Sequence, residues 1–191
     1  TVGDTIHTVS CYADIIAMRH PKEGAPYAAS QFSEVPIINA GDGGHNHPTQ
    51  TLTDLFTLTG VKGTLSGLTI GLCGDLRYSR TVHSLIKMLI RYDNNRFVLI
   101  STPELAVPDY ITDILDEAGC EYEQVNDLAS AIGELDVLYM TRIQRERFPS
   151  EEAYQKQKGI YILDTEKLKK ARTDLRILHP LPRVDEITVE V

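Results

Sequence analysis

Long apolar runs are missing from this sequence. The longest, residues 35–40 and 68–73, fall far short of the roughly 20 apolar residues that a membrane-spanning helix needs. Thr1 opens no signal-peptide pattern either, so a cytoplasmic protein is expected. Cysteine is scarce: Cys11, Cys73 and Cys120 stand far apart and form no C-x-x-C pair. That spacing argues against a disulfide framework or a zinc knuckle and leaves the three thiols as small buried hydrophobes. No run of Lys or Arg occurs, and the formal net charge is −8, which argues against a nucleic-acid partner. An anionic ligand would have to be met by local cations. Internal repeats and low-complexity tracts are absent as well.

What is present is a regular alternation. Short apolar runs suited to strands lie at residues 14–18, 35–39, 68–74, 97–101, 122–125, 137–140 and 175–178. Helical patterns lie between and around them at 4–11, 24–32, 48–57, 81–91, 108–118, 127–132, 150–158 and 165–171. Strand-then-helix alternation predicts an α/β protein, with mostly parallel sheets flanked by helices. Residues 60–67, with three glycines and no apolar period, form the best boundary between two lobes. Only two strands precede that boundary, where a stable sheet wants at least three. Further chain is therefore expected before Thr1, and a closing helix after Val191.

The polar groups that carry chemistry share one position. Arg19, the His47-Pro48-Thr49-Gln50 segment, Arg80, Arg142 with Gln144, and His179-Pro180-Leu181-Pro182 each follow shortly after an expected strand. In an open α/β sheet that edge is where ligands bind. Pro48 suits the first helical position, which puts His47 at the N-cap and Gln50 on the same face. The free N–H groups of such a helix start favour an anion, while His47 can donate to a carbonyl oxygen and Gln50 can accept from an amide. That combination suits carbamoyl phosphate. The plainer reading is a helix cap and nothing more. A metal site on His45 and His47, with Asp42 nearby, lacks a third strong ligand at suitable spacing. Arg80, with Ser79 before it as a plausible cap, starts a helix after a loop that lacks G-x-G-x-x-G, which disfavours a dinucleotide site. Arg80 and Arg142 are guanidinium forks from two strand ends and together imply a dianionic substrate. Taken singly, each could be a surface ion pair, and the run from Arg142 to Arg147 could be a solvated helical face. The two prolines around Leu181 are expected to hold an extended backbone with free carbonyls.

Five stretches carry a resemblance. They are Asp14-Ile-Ile-Ala-Met-Arg-His-Pro21, Asn39-Ala-Gly-Asp-Gly-Gly-His-Asn-His-Pro-Thr-Gln50, Gly74-Asp-Leu-Arg-Tyr-Ser-Arg-Thr-Val-His-Ser84, Tyr139-Met-Thr-Arg-Ile-Gln-Arg-Glu-Arg147 and His179-Pro-Leu-Pro-Arg-Val-Asp-Glu186. In this order, from one end of the chain to the other, they resemble the aspartate carbamoyltransferases. The resemblance implies a carbamoyltransferase fold, with residues 1–61 as part of a carbamoyl-phosphate-binding domain and 62–191 as an aspartate-binding domain lacking its C-terminal helix. It implies that Arg19, His47, Gln50, Pro180, Leu181 and Pro182 bind carbamoyl phosphate, Arg19 and His47 being catalytic. Arg80, Arg142 and Gln144 are then the aspartate-binding residues. Ser79 departs from the glycine more usual in the family. The family's phosphate loop and lysine loop would lie before Thr1, so this stretch alone is expected to be inactive.

The activity implied is transfer of the carbamoyl group to L-aspartate, an early step of de novo pyrimidine biosynthesis, with no cofactor and no metal. A homotrimer is implied too, with or without a regulatory chain, because a neighbouring subunit completes the site in this family. The nearest rival is an ornithine carbamoyltransferase. It resembles His-Cys-Leu-Pro where this chain has His179-Pro180-Leu181-Pro182, and a cationic side chain would not suit Arg80 and Arg142. A non-catalytic domain kept for assembly is the other alternative, and loss of His47 or Arg142 would have been its mark.

Overall fold

The computed structural model describes residues 1–191 apart from the side chain of Glu146. Four elements make a small first lobe: α1 (Val2–Ser10), β1 (Ile16–His20), α2 (Ala25–Ser30) and β2 (Ile37–Asp42). β1 and β2 pair in parallel. The buried apolar cluster of this lobe is thin, consisting of Ile6, Ile16 and Ala29. Helix α3 (Pro48–Lys62) leads out of it.

The second lobe follows the expected alternation: β3 (Thr69–Cys73), α4 (Arg80–Leu89), β4 (Arg96–Ile100), α5 (Asp109–Glu117), β5 (Glu121–Val125), α6 (Leu128–Ala131), β6 (Val137–Met140), α7 (Glu151–Gln157), α8 (Thr165–Leu168) and β7 (Arg176–Leu178). The strands form one parallel sheet in the order β5-β4-β3-β6-β7. Successive side chains of a strand point to opposite faces, and here both faces are covered. Ile70, Leu72, Phe97, Leu99, Val137 and Tyr139 join one buried cluster, while Cys73, Val98, Ile100, Leu138 and Met140 join the other. Two-sided burial is why the central strands read as uninterrupted apolar runs. The chain winds outward from β3 to β5, then returns to lay β6 on the other side of β3. The β3/β6 seam is therefore the point where the winding reverses.

Several expectations need correction. Helix α3 was expected to stop near residue 57, but it continues through Gly60 to Lys62 and ends on Gly63 at φ 71°. A mid-helix glycine costs about 1 kcal/mol. Leu55 and Leu58 outweigh it by packing into the core of the second lobe, at roughly 1.5–3 kcal/mol each. Cys11 is exposed rather than buried, and only Cys73 is fully enclosed. Ser79 occupies the N-cap of α4 without capping it, since its hydroxyl pairs with Thr81 Oγ1 at 3.0 Å instead.

Two local devices hold the strand ends that face the crevice. Gly74 sits at φ 116°, and a Cβ there would overlap the backbone carbonyl of Thr141. The Thr141 N–H donates to Cys73 O at 2.8 Å across the same seam. The second device is Asp42, 2% exposed, which organises the loop after β2. It accepts from Asn39 Nδ2 (3.0 Å), Gly24 N–H (2.8 Å) and Asn46 N–H (3.1 Å), and pairs with His45 Nδ1 (3.1 Å). Burial by itself would raise the Asp42 pKa, but these bonds outweigh it and hold the carboxyl at about 2.

Two outcomes follow. Gly74→Ala should lose more than about 2 kcal/mol of stability in urea or thermal denaturation, through overlap and a disfavoured φ. A variant as stable as its parent would show that the β3/β6 seam opens without cost. Asp42→Asn should lose on the order of 2 kcal/mol near neutrality, because the folded-state pKa lies below the unfolded value. The sign is fixed by that depression: the contribution is full above about 3.8 and disappears as the pH falls through about 2. The difference between parent and variant should thus shrink as unfolding is measured at progressively lower pH, and a constant difference would exclude the charge as its source.

Candidate active site

A cavity of about 600 Å³ opens at the carboxyl ends of the strands, beside the reversal point. All nine residues nominated from sequence line it. Arg19 comes from the end of β1, and His47 and Gln50 come from the start of α3. Arg80 is the first residue of α4, Arg142 and Gln144 follow β6, and Pro180, Leu181 and Pro182 follow β7. The crevice at a winding reversal is open because the loops on its two sides leave in opposite directions. Ser79, Thr81, Thr141, Arg147 and His179 also line it.

His47 is the N-cap of α3, with Pro48 just inside the helix. Its Nδ1 accepts from the Gln50 backbone N–H and faces the Thr49 hydroxyl, both at 3.4 Å, which leaves the ring proton on Nε2. Burial, then the charges of Arg80 and Arg19, lower its pKa below the usual histidine value. The ring is a neutral donor at physiological pH. The His47 backbone N–H donates to Ser84 Oγ at 3.0 Å, which ties the start of α3 to α4. The neighbouring His45 is taken up by Asp42 and Asn46, within the loop that Asp42 organises.

Arg80 is more committed than its sequence context suggests. Its Nη1 donates to the Gly43 carbonyl at 2.5 Å, reaching from the second lobe to the loop after β2. Burial, then repulsion by Arg19 and Arg147, lower its pKa. Behind the wall, Asp75 is fully buried and accepts from Tyr78 N–H at 3.0 Å, while its Oδ2 has no partner among the described residues. Burial pushes its carboxyl up to about 6, against the pull of the backbone amides of Tyr78, Gln144 and Arg77. Asp75 thereby holds the loop after β3 against the loop after β6.

Arg147 is a residue that sequence reasoning passed over as part of a solvated face. It lines the main cavity, and with Arg19, His20 and Arg80 it also lines an adjoining cavity of about 400 Å³. The signal was its three-residue spacing from Gln144. A 3₁₀ turn at Arg145–Arg147 stacks the two, with Arg147 N–H donating to Gln144 O at 2.9 Å.

The loop after β7 corrects another expectation. Leu181 is not extended but left-handed, at φ 53°, a conformation that costs a non-glycine residue roughly 1–2 kcal/mol. His179 holds it there. Its Nδ1 accepts from Leu181 N–H at 2.8 Å, and its Nε2 pairs at 2.7 Å with Glu186. Because Nδ1 accepts, the proton belongs to Nε2 and is donated to the carboxylate. The ring and Glu186 are both nearly buried, so the carbonyls of this turn are fixed beside the cavity.

Comparison with known proteins agrees with this architecture. The family description "Aspartate/ornithine carbamoyltransferase, carbamoyl-P binding domain" matches residues 1–60, and "Aspartate/ornithine carbamoyltransferase, Asp/Orn binding domain" matches residues 66–191. The aspartate carbamoyltransferase catalytic subunit of Clostridium botulinum is 60% identical over 192 residues, and that of Clostridium acetobutylicum is 62% identical. Each alignment covers 100% of this chain and 62% of the relative, so the chain spans less than two thirds of their length. Among solved structures, the catalytic subunit of M. jannaschii aspartate transcarbamoylase superposes with a TM-score of 0.91 at 45% identity, covering 100% of this chain and 61% of that one. The Trypanosoma cruzi aspartate transcarbamoylase in complex with N-(phosphonacetyl)-L-aspartic acid gives 0.91 at 35% identity, covering 99% and 61%. With the two domain descriptions matched in order along nearly its whole length, the chain belongs to the aspartate/ornithine carbamoyltransferase family.

Proposed function

We propose that this chain forms the substrate crevice of an aspartate carbamoyltransferase, which transfers the carbamoyl group of carbamoyl phosphate to the amine of L-aspartate. One observation carries the reading. Nine residues nominated by chemistry and position, drawn from five separate segments, line a single cavity rich in guanidinium groups within a chain of net charge −8. We assign carbamoyl phosphate to Arg19, His47, Gln50 and the 180–182 turn, and the aspartate carboxylates to Arg80 and Arg142, with Gln144 assisting. Residues 1–61 then belong to the carbamoyl-phosphate domain and 62–191 to the aspartate domain, a division supported by the helix stop at Gly63.

In the proposed reaction the neutral amine of aspartate attacks the carbamoyl carbon. A tetrahedral oxyanion forms, the C–O bond to phosphate breaks, and phosphate leaves with the electron pair while the amine gives up a proton. No covalent enzyme intermediate and no cofactor or metal enter. The neutral His47, donating through Nε2, and Arg19 stabilise the developing charge, one such donor being worth roughly a hundred- to a thousandfold in rate. Fixing both substrates in line contributes much of the remainder. The paired forks at Arg80 and Arg142 favour a dicarboxylate over the cationic side chain of ornithine, and the relatives named above are aspartate enzymes. The reading extends to a cytoplasmic homotrimer serving pyrimidine biosynthesis. No helix among the described residues is long and apolar enough to cross a membrane.

Two variants of the full-length protein separate the assigned roles. Arg142→Ala removes a carboxylate fork, so saturation by aspartate should weaken at least about tenfold while carbamoyl phosphate binding holds. His47→Ala should instead lower turnover by about a hundredfold or more, with phosphate-site affinity little changed. Steady-state kinetics with each substrate varied in turn checks both. Unchanged aspartate saturation in the first, or unchanged turnover in the second, would overturn the corresponding assignment.

A further inference from the structure

One turn beyond Gln50 on α3, at the i, i+4 position, lies a carboxylate that the proposed chemistry does not use. Asp54 is 4% exposed. Its Oδ1 accepts from Gln50 Nε2 at 2.9 Å, and its Oδ2 accepts from the Tyr139 hydroxyl at 2.9 Å. Tyr139 is fully buried on β6, three residues before Arg142. Asp54 thus joins a helix that leaves the first lobe to the central sheet of the second, and it touches the only donor of the Gln50 side chain.

A glutamine amide is ambiguous. Its two ends have nearly the same shape, but one is an acceptor and the other a double donor. Gln50 lines the cavity, and whichever end faces the ligand decides whether an N–H or a carbonyl is welcomed there. An ionised carboxylate accepts only. Gln50 must therefore give Asp54 its NH₂ group, leaving Oε1 as the end for the ligand. Rotating the amide would set Oε1 against a buried carboxylate and lose a charge-assisted bond. The Tyr139 hydroxyl occupies the other carboxylate oxygen, so Asp54 cannot turn to accommodate it.

We propose that Asp54 is a positioning residue which fixes the Gln50 amide with its oxygen toward the ligand, so that the site selects an acyl phosphate bearing an NH₂ group over one bearing a methyl. The proposal rests on the carbamoyl phosphate reading of the site. Carbamoyl phosphate and acetyl phosphate differ in that one group and are close in size. An amide held in the opposite sense would meet the carbamoyl NH₂ donor to donor, whereas the methyl of acetyl phosphate is indifferent to its orientation.

The test measures binding of carbamoyl phosphate, acetyl phosphate and inorganic phosphate to the full-length protein by calorimetry. The unaltered protein should prefer carbamoyl over acetyl phosphate by at least about tenfold, the cost of leaving a buried polar group unpaired. In Asp54→Asn, the new amide keeps its oxygen on the Tyr139 hydroxyl and presents NH₂ to Gln50, which turns over. The preference should then fall at least about tenfold, with inorganic phosphate affinity unchanged. Tyr139→Phe removes the bond between the lobes without disturbing Gln50 and should keep the preference. Asp54→Asn combined with Gln50→Ala should be no less selective than Gln50→Ala alone, the non-additivity of two residues acting through one contact. An Asp54→Asn protein that keeps its preference overturns the proposal. So does Tyr139→Phe losing as much, which would reduce Asp54 to a lobe fastener. An unaltered protein that binds none of the three ligands would instead overturn the functional reading, and the proposal with it. Should Asp54→Asn not fold, hydrogen exchange of the Gln50 side-chain amide in the unaltered protein decides: protection supports the bond to Asp54, and exchange at the rate of a free amide overturns it.

Discussion

The contact between the ends of β3 and β6 is the constraint on which the rest depends. Gly74, with no side chain and a positive φ, lets the backbone of Thr141 approach, and Thr141 N–H closes the gap onto Cys73 O. Beyond that point the two strands part. One strand turns into the loop before Arg80 and the other into the loop carrying Arg142 and Gln144. Asp75 lies buried between these two loops and keeps them in register. Arg80 and Arg142, 62 residues apart in the chain, are thereby brought to the wall of one cavity.

Charge is distributed so that this crevice stands out. The chain is acidic overall, yet Arg19, Arg80, Arg142 and Arg147 converge on one cavity. Burial, and after it the mutual repulsion, depresses the Arg80 pKa and lowers that of His47, which keeps the ring neutral. Such an arrangement is unfavourable when empty and favours ligands carrying several negative charges. The neutral histidine fits the same logic. A protonated ring would add to the repulsion, while a neutral one retains a single directed donor.

The lobes are joined by polar contacts as well as by chain. Arg80 reaches Gly43, His47 is held by Ser84, and Asp54 bonds Tyr139. Leu55 and Leu58 of α3 belong to the larger core. Helix α3 is consequently a shared strut, and its N-terminal turn is fixed from both sides. Each of these bonds ends on a residue in or beside the cavity, so ligand contacts and lobe placement rest on the same side chains.

Much of this was legible in the chain itself, for reasons of period and position. Among the described residues each of the seven strands and eight α-helices overlaps the run expected for it, although β1 lies two residues later than 14–18, because a parallel sheet buried on both faces leaves uninterrupted runs and its covering helices leave a 3.6-residue stripe. The candidate residues were legible because polar groups kept at strand ends stand out against such runs. What remained hidden depends on contacts between distant segments. The left-handed Leu181 is held by Glu186 through His179, and local steric preference alone argued for extension. Helix α3 runs past Gly60 because two of its leucines find a core belonging to the other lobe. Arg147 reads as one more exposed charge until the fold brings it to Arg19 and Arg80. Cys11 lies outside because the first lobe encloses only a thin core around Ile6, Ile16 and Ala29. Sequence determined the elements and the residues at their ends, since these follow from local spacing. Only tertiary structure decided which of those ends meet and how each side chain is turned, since those depend on bonds between segments far apart in the chain.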